Sequence, residues 1–266
     1  MTDHFRGGGA PLSRAAFEQV VANLDTAASS LWAILTVETS GFGFLPDRRP
    51  KIRFERHIFH KRTGGKFSAQ HPDISSATTG GTTTVANEYV RLEAAMALDQ
   101  RAALESTSWG LGQIMGFNAR KLGYADAEDM VTKFVETEDA QLVGVQQFVL
   151  ANDGLAKALK EKKWDRFAFF YNGAGFAKNA YDKKLQESDT VFTLHGTPDI
   201  DIRTLQAQLT YLGHSPGIVD GILGNATRRA ILAFQKAEGL ATTAAPDEAT
   251  MAALADAANA LRTNSH

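Results

Sequence analysis

The chain has 266 residues, 44% hydrophobic and 22% charged, with a net charge of −2 and no cysteine. That is material for one large and one small globular domain, and it excludes disulfides, thiolate chemistry and any global attraction to nucleic acid. No stretch approaches the ~20 apolar residues of a membrane span, so no direct membrane insertion is expected; Met1-Thr2-Asp3-His4-Phe5-Arg6 lacks the apolar run of a secretory signal, so cytosolic synthesis is expected.

In chain order, Gly7-Gly8-Gly9-Ala10-Pro11 reads as a flexible lead-in. Ser13 is placed to cap a helix with Phe17, Val20, Val21 and Leu24 on one face. Ser29 to Glu38 is an apolar helix stopped by Ser40-Gly41. After a turn at Pro46–Pro50, residues 51–59 read as a strand with Ile52, Phe54 and Ile58 inward and Arg53, Glu55 and His57 outward. Residues 75–84 have loop composition and are expected to form a mobile flap. A helix is predicted from about Glu88 to Leu104, then a glycine-interrupted segment, Ser108-Trp109-Gly110-Leu111-Gly112-Gln113, whose glycines permit close backbone approach. Helices resume behind Asp126, over Gln141–Leu150 and behind Asp153. An aromatic helix ends at Phe170-Tyr171-Asn172-Gly173, where the polar tips of Tyr171 and Asn172 require partners. Residues 191–198 fall in a polar linker. Beyond it Ile202, Leu205, Leu209 and Leu212 at helical spacing, a helix from Asn225 or Ala226 to Glu238, and a third from Asp247 to about Ala257 form a small three-helix unit.

Two carboxylates stand in contrasted settings. Glu38 is flanked by Leu31, Trp32, Ile34, Leu35, Val37, Phe42 and Phe44 at the negative end of a helix; both conditions disfavour its anion and raise its pKa. Glu55 lies among Arg48, Arg49, Lys51, Arg53, Arg56, Lys61, Arg62 and Lys66, neighbours that favour a charged carboxylate. One acid that keeps its proton and one that stays charged is the pair glycosidic hydrolysis requires. The same pattern also fits a helix end and a row of surface ion pairs, so the charges alone leave both readings open.

The order Glu38-Thr39-Ser40-Gly41, Ser108-Trp109-Gly110-Leu111-Gly112-Gln113 and Phe170-Tyr171-Asn172-Gly173 resembles the three signatures of the lysozyme-like superfamily. Residues 13 to about 187 resemble more closely the N-acetylmuramidase family of phage endolysins, which places a second glutamate on a β segment soon after the first. The last part, with Leu205-Gln206, Leu209, Leu212-Gly213, Asp220-Gly221-Ile222-Leu223-Gly224, Thr227 and Phe234-Gln235, resembles the three-helix peptidoglycan-binding domain of wall hydrolases. It departs from that pattern at Ala244-Ala245-Pro246-Asp247, where Asp-Gly is usual. The resemblance implies a mainly α fold: a lysozyme-like α+β catalytic domain at 1–190 with a small β segment, a linker at 191–198 and a three-helix domain at 199–266.

The implied activity is hydrolysis of the β-1,4 bond between N-acetylmuramic acid and N-acetylglucosamine. Glu38 is the implied acid, and Glu55 polarises a water or stabilises the transition state. Ser108, Gln113, Tyr171 and Asn172 bind sugar groups or orient Glu38, and the basic residues near Glu55 meet acidic stem peptides and lactyl groups. The implied partner is bacterial peptidoglycan, met by a monomer that stays in the host cytoplasm until released to the wall. No cofactor or metal is implied; His57, His60, His71 and Asp73 are the one cluster worth testing for a metal, with His57 and His60 on opposite faces of the expected strand. Three rivals stand beside this reading: a lytic transglycosylase, which closes an anhydro ring and typically manages with one glutamate; a zinc peptidase or amidase, to which such a binding module is often attached; and a non-catalytic wall-binding protein.

Overall fold

The computed structural model describes residues 5–80, 85–173 and 175–263. Twelve α-helices and one three-stranded sheet are ordered along these residues. The N-terminal glycines are not a loose lead-in. Gly9 N donates to Val135 O (3.0 Å), Ala10 N to Glu136 O (2.8 Å) and Glu138 N to Ala10 O (2.9 Å), so the segment is tied along residues 135–138 with its glycines buried. Small residues fit there because the surroundings leave no room for a side chain. A Cβ on Gly7 would come within 2.7 Å of Val135 O.

Helix α1 (Arg14–Asn23) is capped by Ser13, whose Oγ accepts Ala16 N at 3.1 Å. Helix α2 (Ala28–Thr39) is apolar on nearly every side and runs through the centre of the main core. Strand β1 is short, Ile52–Phe54, and the chain turns at once into α3 (Arg56–Arg62). This corrects the longer expected strand. Phe59 is fully buried against Phe54 and Phe67, which period-two geometry could not achieve. His60, Lys61 and Arg62 occupy the last turn, where a helix favours cations. Glu55 is the extended residue between strand and helix, its N–H bonded to Ser106 O (2.9 Å).

The expected flap falls partly on residues 81–84, outside the described residues. Helix α4 (Val85–Glu105) is broken at Asp99 (φ −161°, ψ 99°), whose Oδ1 caps the following turn at Ala102 N. Buried Glu88 accepts Phe54 N (2.8 Å) and pairs with Arg91, tying β1 to α4. Strands β2 (Thr107–Trp109) and β3 (Ile114–Met115) complete an antiparallel sheet in the order β1-β2-β3, with Arg53 opposite Ser108 and Ser108 opposite Met115.

Helices α5 (Ala127–Phe134), α6 (Glu138–Leu150), α7 (Asp153–Lys160) and α8 (Trp164–Asn172) close the core. Asp126 caps α5 as expected, whereas α7 is capped by Asn152 and not by Asp153, since Asn152 holds the extended backbone a cap needs. Helix α9 spans Tyr181–His195 and packs along α2. Of the stretch expected as linker, residues 191–195 are therefore helical. Polar residues of α9 are satisfied by tertiary partners: just before that stretch, buried Asp189 accepts Ser29 Oγ (2.7 Å), Ser30 Oγ (2.9 Å) and Lys162 Nζ (2.9 Å).

The C-terminal unit consists of α10 (Ile200–Tyr211), α11 (Asn225–Ala237) and α12 (Glu248–Thr263) around Leu205, Leu209, Ile231, Phe234 and Leu254. A buried glutamine organises each turn between helices. Gln206 accepts Asp220 N and Gly221 N and donates to Thr227 Oγ1. Gln235 accepts Ala244 N and donates to Thr243 and Thr250 hydroxyls. Ala244 takes a left-handed backbone (φ 54°), and Asp247 caps the turn beyond it.

Candidate active site

Helix α2 carries Glu38 in its last turn, and Ser40, in the left-handed region, turns the chain away. The helix ends there because the Ser40 and Gly41 N–H groups close back on Thr36 O and Leu35 O. Glu38 is partly buried at the floor of a cleft of about 610 Å³. Burial raises its pKa from the usual 4.5 to about 7, and the hydrogen bond donated by the Tyr181 hydroxyl opposes that shift. The carboxyl therefore keeps a proton well into the range where ordinary glutamates have lost it.

Glu55 reaches the same cleft from the end of β1. Arg53 Nε lies 2.8 Å from its Oε1 and His57 Nδ1 lies 3.3 Å from its Oε2. The basic cluster around it disperses in three dimensions. Arg49 pairs with Asp47, Arg62 with Glu105, Arg56 bonds the Thr78 carbonyl, and Lys51 turns inward to Thr39 O (2.7 Å). Of that cluster, only Arg53 lines the cleft, where Lys184 of α9 joins it. His57 and His60 lie on a helix rather than a strand; His60 bonds Ser68 Oγ (2.7 Å), and among the described residues no group of three or more His, Cys, Asp or Glu side chains is placed to hold a metal.

Ser108, Gln113, Tyr171 and Asn172 all line this cleft with the two glutamates. Three of them are engaged by the protein. Ser108 Oγ donates to Gln113 Oε1 (2.9 Å), Gln113 Nε2 donates to Gly110 O (2.9 Å) and Lys51 O (3.2 Å), and Tyr171 OH donates to Gly112 O (2.8 Å). Together they brace the β2–β3 turn, in which Gln113 itself holds a strained positive φ of 48°. Gly110 is required in that turn because a Cβ would lie 2.6 Å from the Gln141 side chain. Asn172 is exposed and makes no side-chain hydrogen bond among the described residues, as suits a group facing a ligand.

Sequence reasoning did not find Tyr181. Its ring lies parallel to that of Tyr171, 6.4 Å away, and its hydroxyl is the one protein donor to Glu38 among the described residues. The available signal was weak: Tyr181 and Leu185 are spaced i, i+4 on a segment otherwise polar. Asn118 and Asn179 also face the cleft.

The profile of the N-acetylmuramidase family matches residues 27–192, and that of the peptidoglycan binding domain matches residues 199–254. The crystal structure of the Burkholderia AP3 phage endolysin is 38% identical, with a TM-score of 0.63, over 69% of this chain and 71% of that one. A comparison with curated proteins found no match.

Proposed function

This chain belongs to the N-acetylmuramidase family, and from that premise we propose that it cleaves the β-1,4 bond between N-acetylmuramic acid and N-acetylglucosamine, with Glu38 as general acid. It is a peptidoglycan hydrolase of the endolysin type, a glycoside hydrolase joined to a peptidoglycan-binding domain. The observation that carries the residue assignment is the cleft itself, which holds one carboxyl kept protonated by burial and one ion-paired with Arg53.

In this reading Glu38 gives its proton to the oxygen leaving the muramic acid, and the Tyr181 hydroxyl holds the carboxyl in place and stabilises the anion that results. Glu55 either polarises the attacking water or stabilises the positive charge that develops on the sugar ring. Ser108, Gln113 and Tyr171 keep the wall of the cleft rigid, and Asn172, Asn118 and Asn179 supply neutral donors and acceptors to hydroxyl and N-acetyl groups. Arg53 and Lys184 meet the lactyl or stem-peptide carboxylates.

Purified sacculi digested with the protein and analysed by mass spectrometry test the reaction. Hydrolysis leaves reducing muramic acid ends that have gained one water. Products that end mainly in 1,6-anhydromuramic acid would instead assign a transglycosylase.

A further inference from the structure

The C-terminal domain reads in the sequence as a separate anchor, yet one of its side chains reaches beneath the catalytic helix. Arg203 of α10 has a side chain 1% exposed. Its Nε donates to Gly41 O at 2.8 Å, and its Nη1 and Nη2 fork onto Glu138, fully buried, at 2.6 Å each. The guanidinium also lies over the rings of Trp32 (5.6 Å) and Phe42 (5.4 Å). Glu138 in turn accepts Gly43 N (2.7 Å) and Leu12 N (2.8 Å).

Gly41 stands three residues after Glu38, in the turn that ends α2. That turn is held at three points within five residues: Thr39 O by Lys51, Gly41 O by Arg203 and Gly43 N by Glu138. Two of the anchors belong to the catalytic domain; the middle one comes from the peptidoglycan-binding domain. Around it Phe42 and Phe44 pack on Ala207, Tyr211 and Val219 of that domain in a small apolar cluster of their own.

We propose that Arg203 is a positioning residue for Glu38, so that the peptidoglycan-binding domain completes the catalytic centre as well as binding the wall. The physical reason is that a left-handed turn closing an α-helix has few internal bonds to define it. A planar guanidinium that bridges a carbonyl and a carboxylate fixes both distance and direction, whereas an ammonium cannot. Small displacements of an acid from its leaving group are costly in rate. The inference rests on Glu38 being the general acid.

The test uses the full chain and a soluble substrate on which wall anchoring has no influence: peptide-free oligosaccharides of alternating N-acetylglucosamine and N-acetylmuramic acid. Arg203→Lys keeps the charge but cannot bridge all three acceptors. The double variant Arg203→Met, Glu138→Gln removes both charges at similar volume and covers the case in which the first fails to fold. Assayed at a temperature where near-UV circular dichroism shows native packing, each is expected to lose about 10-fold or more in kcat, with KM changed by less than about twofold. The alkaline limb of kcat is expected to move to lower pH as water reaches Glu38. Asp201→Asn removes an exposed ion pair from the same domain to Arg14 without touching the turn after Glu38, and its kcat is expected to equal the wild type. Folded Arg203 variants with wild-type kcat and pH profile, altered only in melting temperature, would overturn the proposal, as would an equal loss of kcat in Asp201→Asn. Wild-type protein that releases no reducing ends from either oligosaccharides or sacculi would overturn the muramidase reading itself.

Discussion

Glu38→Gln tests the electrostatics of the site through stability as well as through activity. In the folded chain the Glu38 carboxyl titrates at about 7, against the usual 4.5 when unfolded. Below the lower value both states hold the proton, and the group has no effect on stability. Between the two, the folded state holds a proton that the unfolded state has released, so stability falls as pH rises and is fully reduced above about 7. At 1.36 kcal/mol per unit, that shift corresponds to a loss of at most about 3 kcal/mol, a large share of the 5–15 kcal/mol typical of a folded domain. Glutamine has the shape of the protonated acid, remains neutral, and can still accept from Tyr181. The variant is therefore expected to match the wild type at pH 4, to exceed it by up to about 3 kcal/mol at pH 8, and to lack hydrolytic activity at both. Urea unfolding followed by tryptophan fluorescence at the two pH values measures this, and subtracting wild type from variant cancels the other titrations. A stability difference that does not change with pH, or one that favours the wild type at pH 8, would refute the claim that burial holds a proton on Glu38.

Three further outcomes follow from the same geometry. Tyr181→Phe removes a donor that favours the Glu38 anion, so the alkaline limb of kcat/KM should move up by about one pH unit; a pH–rate profile on sacculi reads it, and a downward shift contradicts the assigned role. Glu55→Gln should lower kcat by about 100-fold with KM within a few-fold, if its charge acts on the transition state; initial rates on sacculi decide, and near-normal turnover removes Glu55 from the mechanism. Ala244→Gly relieves a left-handed backbone at a residue whose N–H bond to Gln235 is retained. The relief, less the extra chain entropy of glycine, should stabilise the C-terminal domain by about 0.5–1 kcal/mol, readable in a thermal melt.

Much of the cleft lining was legible from local chemistry. Glu38, Ser108, Gln113, Tyr171 and Asn172 sit where a helix end, a glycine turn and a second helix end interrupt apolar segments, and such interruptions are visible in one dimension because they cost local stability. What those side chains do was less legible, since Gln113 and Tyr171 turn their polar tips onto backbone carbonyls of the cleft wall and Ser108 onto the Gln113 side chain. The strand at 51–59 was overextended because alternation of Arg53, Glu55 and His57 with apolar residues looks the same whether the chain continues straight or turns into a helix at Arg56. Only the burial of Phe59 beneath Phe54 distinguishes them.

By itself the sequence determined what depends on neighbours along the chain: helix periodicity, caps such as Ser13 and Asp126, and the apolar surroundings that lift the pKa of Glu38. Tertiary structure decided what depends on partners far away in the chain. Tyr181 meets Glu38 across 143 residues, Asp189 makes a helix of a polar stretch by pairing with Ser29, Ser30 and Lys162, and Arg203 reaches Gly41 across 162. Each of these is a polar group whose desolvation is offset by one specific partner, and no pattern of spacing announces which partner that will be.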